Sequence, residues 1–258
     1  MQTSRSLIAL LLATILLIGL GALATVHAQQ QGHEEPRADE SAHETVHSGG
    51  GAGYFAAGVQ FTDLSDLNNR MADAGYPTFS SEMVSIGGGG YSVTNRILIG
   101  GEGHGLISGD QGYQGRNVSV GGGYGLFTLG YLFRPNRNLR VYPRLGLGGG
   151  GLQLEISDQG DATDFDDILD DPNRSASIGR ASLLVSLGAG LEYQFSRPEE
   201  RGGFRLGLRA GYMLSPLESD WQLDDTTLSG GPDATLQGPF IRLTIGGCGA
   251  EYGDDDDD

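Results

Sequence analysis

Residues 181–195 read ASLLVSLGAGLEYQF, and residues 204–214 read FRLGLRAGYML. In both stretches a large apolar or aromatic residue, or an alanine, occupies every second position, and mostly small, polar or charged residues stand between them. Leu184 is the one large apolar residue in the second set of the first stretch. Because successive side chains of a β-strand point to opposite faces, this period of two predicts two strands, each with an apolar and a polar face.

The same period predicts eight strands along the chain. We expect them near residues 54–62, 83–93, 97–106, 117–133, 139–156, 181–195, 204–214 and 240–249. The third shows the pattern weakly, and the second, fourth and fifth change phase at the glycine runs 87–90, 121–123 and 148–151. A β-bulge at each run would restore the alternation.

The connections between these strands alternate in length. The long ones are residues 63–82, 107–116, 157–180 and 215–239, and the short ones are 94–96, 134–138 and 196–203. A soluble sandwich has similar strands, but a membrane barrel with both ends in the periplasm requires this order of tight turns and extended outer loops. We therefore predict an all-β fold, an eight-stranded antiparallel up-and-down transmembrane β-barrel.

Aromatic residues near the strand ends fit this prediction, since membrane barrels carry aromatic girdles at both interfaces. The residues concerned are Tyr54, Phe55, Phe61, Tyr124, Tyr131, Phe133, Tyr193, Phe195, Phe204, Tyr212 and Phe240.

The N-terminal segment carries the features of an export signal. Arg5 precedes an apolar run over residues 7–24, and Val26-His27-Ala28 is a plausible cleavage site. We assign residues 1–28 to a signal peptide, with an uncleaved anchor as the alternative, and residues 29–53 to a disordered periplasmic lead-in. Residues 54–252 form the barrel and residues 253–258 an acidic tail.

Composition excludes several classes of function. The formal net charge of -17 argues against nucleic acid as a partner, because phosphate binding requires clustered cations. The single cysteine, Cys248, excludes an intramolecular disulfide. His33, His43 and His47 could bind zinc, but a solvated polar segment is the favoured interpretation, and we predict neither a metal site nor a cofactor.

Charged residues on the polar strand faces would point into the barrel if the apolar faces meet lipid. An eight-stranded barrel is only wide enough to be filled by side chains, so opposite charges are expected to pair as a plug, and the glycines leave space for large neighbours. A narrow path for ions or solutes is the alternative. The predicted interior polar network consists of Glu102, His104, Arg140, Arg144, Glu192, Arg205, Arg209 and Arg242.

Glu102 and His104 are the nearest approach to a catalytic group, since residues two apart share a strand face. Ser108 is close in sequence, but no second matching motif is present. The glycine runs have strand-like residues on both sides and do not open a helix, which argues against a phosphate-binding loop. We predict no catalytic residues and no enzyme.

The third long connection is acidic, with Asp158, Asp161, Asp164, Asp166, Asp167, Asp170 and Asp171, as is the tail 254–258. Neither has the spacing of an EF-hand loop, so loose binding of divalent cations is the most that this composition indicates. In the first long connection, residues 64–71 are expected to form a short helix with Leu64, Leu67 and Met71 on one face.

The signal peptide, the strands 181–195 and 204–214, the alternating connections and the last strand Phe240-Ile241-Arg242-Leu243-Thr244-Ile245 resemble the small outer-membrane barrel class that includes OmpA-type and OmpX-type proteins, over residues 54–249. The resemblance implies location in the cell outer membrane and contact with its lipid and lipopolysaccharide. It also implies handling by the barrel-assembly machinery, which reads a terminal aromatic residue. Here Tyr252 is the last aromatic residue and aspartates follow it.

The resemblance implies a role carried by the loops. We expect a structural or surface-interaction role of the adhesin type, with a plugged interior. The alternatives are a narrow pore, a lipid A-modifying enzyme, and a secreted soluble barrel or sandwich that binds a small apolar ligand.

Overall fold

The computed structural model describes residues 49–109, 111–158, 175–195, 203–224 and 226–249. The predicted signal peptide, most of the predicted lead-in, Tyr252 and the acidic tail lie outside these residues. The elements are β1 (Gly49–Phe61), α1 (Ser65–Asp73), β2 (Glu82–Thr94), β3 (Ile97–Ile107), β4 (Gln111–Tyr113), β5 (Arg116–Tyr131), β6 (Leu139–Asp158), β7 (Ser175–Phe195), β8 (Gly203–Glu218), β9 (Trp221–Leu223), β10 (Thr226–Leu228) and β11 (Gly238–Cys248).

Eight of the strands close into a barrel. The order is β1-β2-β3-β5-β6-β7-β8-β11, every neighbouring pair is antiparallel, and β11 pairs with β1 to complete the ring. Closure leaves these strands without a free edge, as a membrane requires. The predicted eight-stranded antiparallel barrel is confirmed.

The barrel is apolar outside and charged inside. Leu187 and Leu206 on its outer surface are 50% and 46% exposed, whereas Arg209 and Arg242 are 3% and 1% exposed. Large exposed apolar side chains occur on all eight barrel strands. A soluble barrel of this size would have the opposite arrangement.

The bulges expected at the glycine runs do not occur in the described strands. Pairing of β2, β5 and β6 with their neighbours continues without a shift through residues 87–90, 121–123 and 148–151. The backbone keeps its phase while the apolar residues change face: in β5, Val118 and Val120 point inward, but Phe127 and Leu129 point outward.

This change of face marks two environments along one strand. In β6, Leu145 and Leu147 face outward on either side of a glycine, whereas further along Leu152 and Leu154 are buried inside and Glu155 is exposed outside. Strands that leave hydrocarbon and continue into water require this reversal, because the apolar face must then turn to a protein core. The long-connection ends of β5, β6 and β7 therefore extend beyond the apolar belt.

A bulge does occur between β7 and β8, opposite Leu184, which is the residue that interrupts the alternation in residues 181–195. Leu183 pairs with Leu217 and Val185 with Leu214, so Ser215 and Pro216 together oppose Leu184. A bulge is one of the few sheet positions that accept proline, which has no N–H to donate. Leu184 points inward and is fully buried.

Two further predictions differ from the structure. β1 begins at Gly49, so residues 49–53 belong to a strand although their small side chains show no alternation. Tyr54, Tyr124 and Phe240 were expected in the aromatic girdles, but they share the inward parity of their strands. The girdle assignment was wrong for these three because proximity to a strand end does not determine which face a residue occupies.

The first long connection contains α1, close to the predicted helix, with Leu67 and Met71 buried. Gly75, in the left-handed conformation at a φ of 79°, follows it, and Tyr76 N donates to Met71 O at 2.8 Å. Among the described residues, no helix has the length and apolarity to cross a membrane.

Candidate functional site

The barrel interior holds all the residues of the predicted polar network. Each is at most 6% exposed, and they come from five different strands. The residues are Glu102, His104, Arg140, Arg144, Glu192, Arg205, Arg209 and Arg242.

Glu102 on β3 is one of two carboxylates around which the network is built. Its Oε1 lies 2.8 Å from Arg144 Nη2, and its Oε2 lies 3.4 Å from Arg209 Nη1. Tyr54 Oη donates to Oε2 at 3.0 Å, and Arg242 Nη1 lies 3.9 Å from Oε1. Three guanidinium groups therefore share this carboxylate, which offsets part of their positive charge.

Glu192 on β7 is the second carboxylate. Tyr142 Oη and Arg209 Nη2 donate to its Oε1 at 2.6 and 2.9 Å. Tyr91 Oη donates to Oε2, and Arg205 Nη1 lies 3.9 Å from the same oxygen. Because Arg209 contacts both glutamates, it joins the two halves of the network.

Arg242 on β11 organises the part of the network nearer to the long connections. Its Nε donates to Ser85 Oγ at 3.1 Å, and its Nη2 donates to Gln60 Oε1 at 2.8 Å and to Tyr124 Oη. Ser85 Oγ in turn lies 3.3 Å from His104 Nδ1.

Arg140 and Arg205 share one acceptor near the short-turn end. Arg140 Nη1 donates to Gln194 Oε1, and Arg205 Nε donates to the same oxygen at 3.2 Å. Every residue of the predicted network is thus in contact with another polar side chain of the interior.

The four inward tyrosines, Tyr54, Tyr91, Tyr124 and Tyr142, are network members that the sequence analysis missed. Each supplies a hydroxyl to a buried glutamate or arginine. Their positions in the sequence could have identified them, because residues two apart on a strand point to the same face. Tyr142, for example, lies two residues from both Arg140 and Arg144.

Inward glycines provide the space that the tyrosine side chains occupy. A Cβ added at Gly190 would lie 2.3 Å from Tyr142 Cζ, and one at Gly89 would lie 2.7 Å from Tyr54 Oη. A Cβ at Gly150 would lie 2.5 Å from Tyr124 Cβ. The glycine content of this chain is thus tied to large side chains that cross the barrel.

Replacing Gly190 by alanine is expected to lower the free energy of unfolding by about 1 to 3 kcal/mol, because the ring of Tyr142 would have to move away from Glu192. Urea titration of the folded barrel in detergent micelles would measure this. Gly53→Ala is the matched control, since an added Cβ there meets no atom within 4 Å. Equal stability of the two variants would contradict the assigned role of Gly190.

Two apolar clusters lie along the barrel interior. The turn-end cluster, near the short connections, is formed by Tyr91, Val93, Leu98, Leu132 and Tyr142. The outer-end cluster, toward the long connections, is formed by Leu64, Leu67, Met71, Phe79, Met83, Leu106, Val118, Val120, Tyr124, Leu126, Leu152, Leu154, Leu184, Met213, Trp221, Ala234 and Leu236.

The outer-end cluster continues into a cap made from the described parts of the long connections. Asn68 Nδ2 donates to Phe79 O and Phe79 N donates to Asn68 Oδ1, both at 2.8 Å. These two hydrogen bonds join α1 to the segment that follows it. Trp221 Nε1 donates to Pro232 O at 2.6 Å. The cap is therefore an ordered, packed structure with its own core.

Contacts between distant segments hold the cap together. Arg70 Nη2 donates to Gly230 O at 2.8 Å, and Asp233 N donates to Asp66 Oδ2 at 2.8 Å. At the start of α1, hydrogen bonds from Ser65 Oγ and Ser65 N hold the pKa of the Asp63 carboxyl below its usual value. Asp63 therefore remains an anion at neutral pH.

The surface of the cap is acidic. Its exposed acids outnumber its exposed arginines, which are Arg70 and Arg116. The exposed acids are Asp63, Asp66, Asp73, Glu82, Glu155, Asp220, Asp224 and Asp233. The sequence adds further aspartates in the third long connection, between residues 159 and 174, which lie outside the described part of the chain.

A serine, a histidine and a glutamate do meet inside the barrel, but the serine is not the one considered from sequence. Ser85, rather than Ser108, lies beside His104, and His104 Nε2 is 3.9 Å from Glu102 Oε1. Ser85 is fully buried and accepts a hydrogen bond from Arg242. Among the described residues, no group of three His, Cys, Asp or Glu side chains is placed to hold a metal ion.

Comparison with solved structures finds small surface barrels at low similarity. The attachment invasion locus protein Ail of Yersinia pestis is 17% identical at a TM-score of 0.38, with 80% of this chain and 100% of that chain covered. The same protein in complex with the heparin analogue sucrose octasulfate is 15% identical at 0.39, with the same coverage. Neisserial surface protein A is 11% identical at 0.38, covering 78% and 96%.

No curated protein matches the chain. A family model does: the outer membrane protein beta-barrel domain matches residues 15–232, which is most of the sequence. This match agrees with the closed antiparallel barrel and its apolar exterior. The chain belongs to the outer membrane protein β-barrel family, and its place in the cell is the outer membrane.

Proposed function

We propose that this barrel neither conducts nor catalyses, and that its role is to hold a rigid acidic cap at the cell surface for interactions of the adhesin type. The observation that carries the proposal is the interior, where charged side chains fill the barrel in mutual contact and the outer-end cluster lies between them and the long connections. A continuous water path would have to pass the outer-end cluster.

The interior acts as a plug. Its guanidinium and carboxylate groups contact each other at 2.8 to 3.9 Å, and the tyrosine hydroxyls occupy further positions around the carboxylates. Side chains held in this way resist displacement by a passing ion, because removing one partner leaves a charge buried.

The cap is the part available to partners. Its segments are joined by hydrogen bonds across the barrel mouth, so it presents a fixed surface. Its excess of carboxylates suits divalent cations, which would bridge it to the phosphates of lipopolysaccharide. Membrane lipid and, during biogenesis, the barrel-assembly machinery are the other partners we propose.

A narrow pore is the second candidate, and one observation favours it. A recess lined by Tyr54, Tyr91, Glu192, Arg205 and Thr244 reaches charged groups of the interior. A lipid A-modifying activity is not proposed, because the Ser85, His104 and Glu102 side chains are all buried.

Planar-bilayer recording separates the plug from the pore. The folded full-length chain is expected to insert without current steps above the leak of the bilayer, because the outer-end cluster blocks hydrated ions. Heat-modifiable migration on a gel would verify folding in the same sample. Reproducible steps whose ion selectivity changes in Arg209→Gln would refute the plug and establish the pore.

A further inference from the structure

The short-turn end of the barrel carries exposed arginines. Arg96 lies in the turn between β2 and β3, and Arg134 and Arg137 lie in the turn between β5 and β6. The third short connection, at residues 196–202, lies outside the described part of the chain and contains equal numbers of arginines and glutamates.

The two arginine-bearing turns lie side by side. Leu132 N donates to Arg96 O at 2.7 Å, and Ile97 at the start of β3 pairs with Tyr131 at the end of β5. The exposed guanidinium groups are therefore collected on one side of the barrel.

A group of exposed aromatic rings lies beside these turns. The rings of Tyr131 and Phe133 are 5.0 Å apart, and those of Tyr193 and Phe195 are 4.8 Å apart. These side chains are 42% to 52% exposed on the outer surface. Aromatic girdles of membrane barrels lie at the interface, so an arginine directly after Phe133 lies at the depth of lipid phosphates.

The backbone of the β2–β3 turn gives independent support. Asn95 and Arg96 have φ values of 50° and 67°, which is the geometry of a two-residue type I′ turn. Glycine is favoured at the second position, and in the turn between β4 and β5 Gly115 occupies it at a φ of 75°. An arginine is disfavoured there by its Cβ, so turn geometry does not account for Arg96.

We propose that Arg96, Arg134 and Arg137 bind the phosphate groups of anionic phospholipids in the periplasmic leaflet. Among the described residues, the cap at the other end is acidic, whereas the exposed charged residues of the two arginine-bearing turns are all basic. The arginines then fix the depth and orientation of the barrel in the membrane. This assignment does not depend on the function proposed for the cap.

The test measures which lipids contact the full-length folded barrel. Spin-labelled phosphatidylglycerol and phosphatidylcholine are compared, in bilayers of phosphatidylcholine, by the fraction of each label immobilised at the protein surface. We expect the immobilised fraction of phosphatidylglycerol to exceed that of phosphatidylcholine several-fold, with each arginine contributing a factor of at most about five. High salt should reduce this preference. In Arg96→Gly/Arg134→Gln/Arg137→Gln the ratio is expected to approach one. Arg96→Gly suits the turn, so the variant should fold.

The cap variant Arg70→Gln/Arg116→Gln is the matched control and should keep the wild-type ratio. The single variants Arg134→Gln and Arg137→Gln should each lower the ratio part of the way. An unchanged ratio in the triple variant would overturn the proposal. A wild type without any preference would also overturn it. If a preference then emerged when all five aspartates of residues 254–258 were replaced by asparagine, the arginines would be binding the chain's own tail.

Discussion

Glu102→Gln is expected to lower the free energy of unfolding by about 3 to 5 kcal/mol, because it removes one partner of a buried ion-pair network. Arg144, Arg209 and Arg242 all lie within 3.9 Å of this carboxylate. The glutamine keeps the shape of the side chain but leaves these guanidinium groups with too little negative charge. Urea titration in micelles, with the folded fraction read from heat-modifiable migration, would measure the loss.

Glu155→Gln provides the comparison. Glu155 lies on β6, but on its outer face and exposed. The same chemical change there should alter stability by no more than about 0.5 kcal/mol. If both variants unfold at the same urea concentration, the interior carboxylate is not the centre of the network.

Leu243→Arg is expected to cost about 2 to 4 kcal/mol when the barrel is folded in a bilayer, because the substitution places a charge in the hydrocarbon region. Leu243 is 62% exposed on the outer surface, and its strand neighbour Leu208 is exposed as well. In a water-soluble barrel an exposed leucine would accept arginine at little cost. The measurement is reversible unfolding in lipid vesicles.

Gln153→Arg tests where the hydrocarbon ends. Gln153 also points outward, but it lies beyond the apolar belt, between the inward residues Leu152 and Leu154. The arginine there should cost no more than about 1 kcal/mol, which is the net contribution of the lost hydrogen bond from Gln153 Nε2 to Ser177 Oγ. A cost equal to that of Leu243→Arg would place the membrane boundary further along β6.

Much of this fold follows from side-chain parity alone. The alternation in residues 181–195 and 204–214 identifies two strands, and the lengths of the connections distinguish a membrane barrel from a sandwich. Parity also predicts the inward face, which is where Glu192, Arg205 and Arg209 lie.

The other features of the fold depend on whether lipid, water or protein surrounds each part of a strand, and side-chain alternation alone does not show this. Val118 and Val120 break the expected pattern because their part of β5 lies beyond the belt, where the interior is apolar. Leu184 breaks it because it belongs to the inward set opposite a bulge. The sequence analysis did not place Ser85 beside His104, because the two residues lie on different strands, β2 and β3, and meet only through strand pairing.

Each of the eight barrel strands contributes a side chain to the polar network. These side chains are Tyr54, Tyr91, Glu102, Tyr124, Arg144, Glu192, Arg209 and Arg242. A sheet that lacked one strand would expose these charges to acyl chains without their counterions. Half-inserted intermediates are thus penalised, and insertion should proceed as one concerted event, with the last hairpin docking as the ring closes.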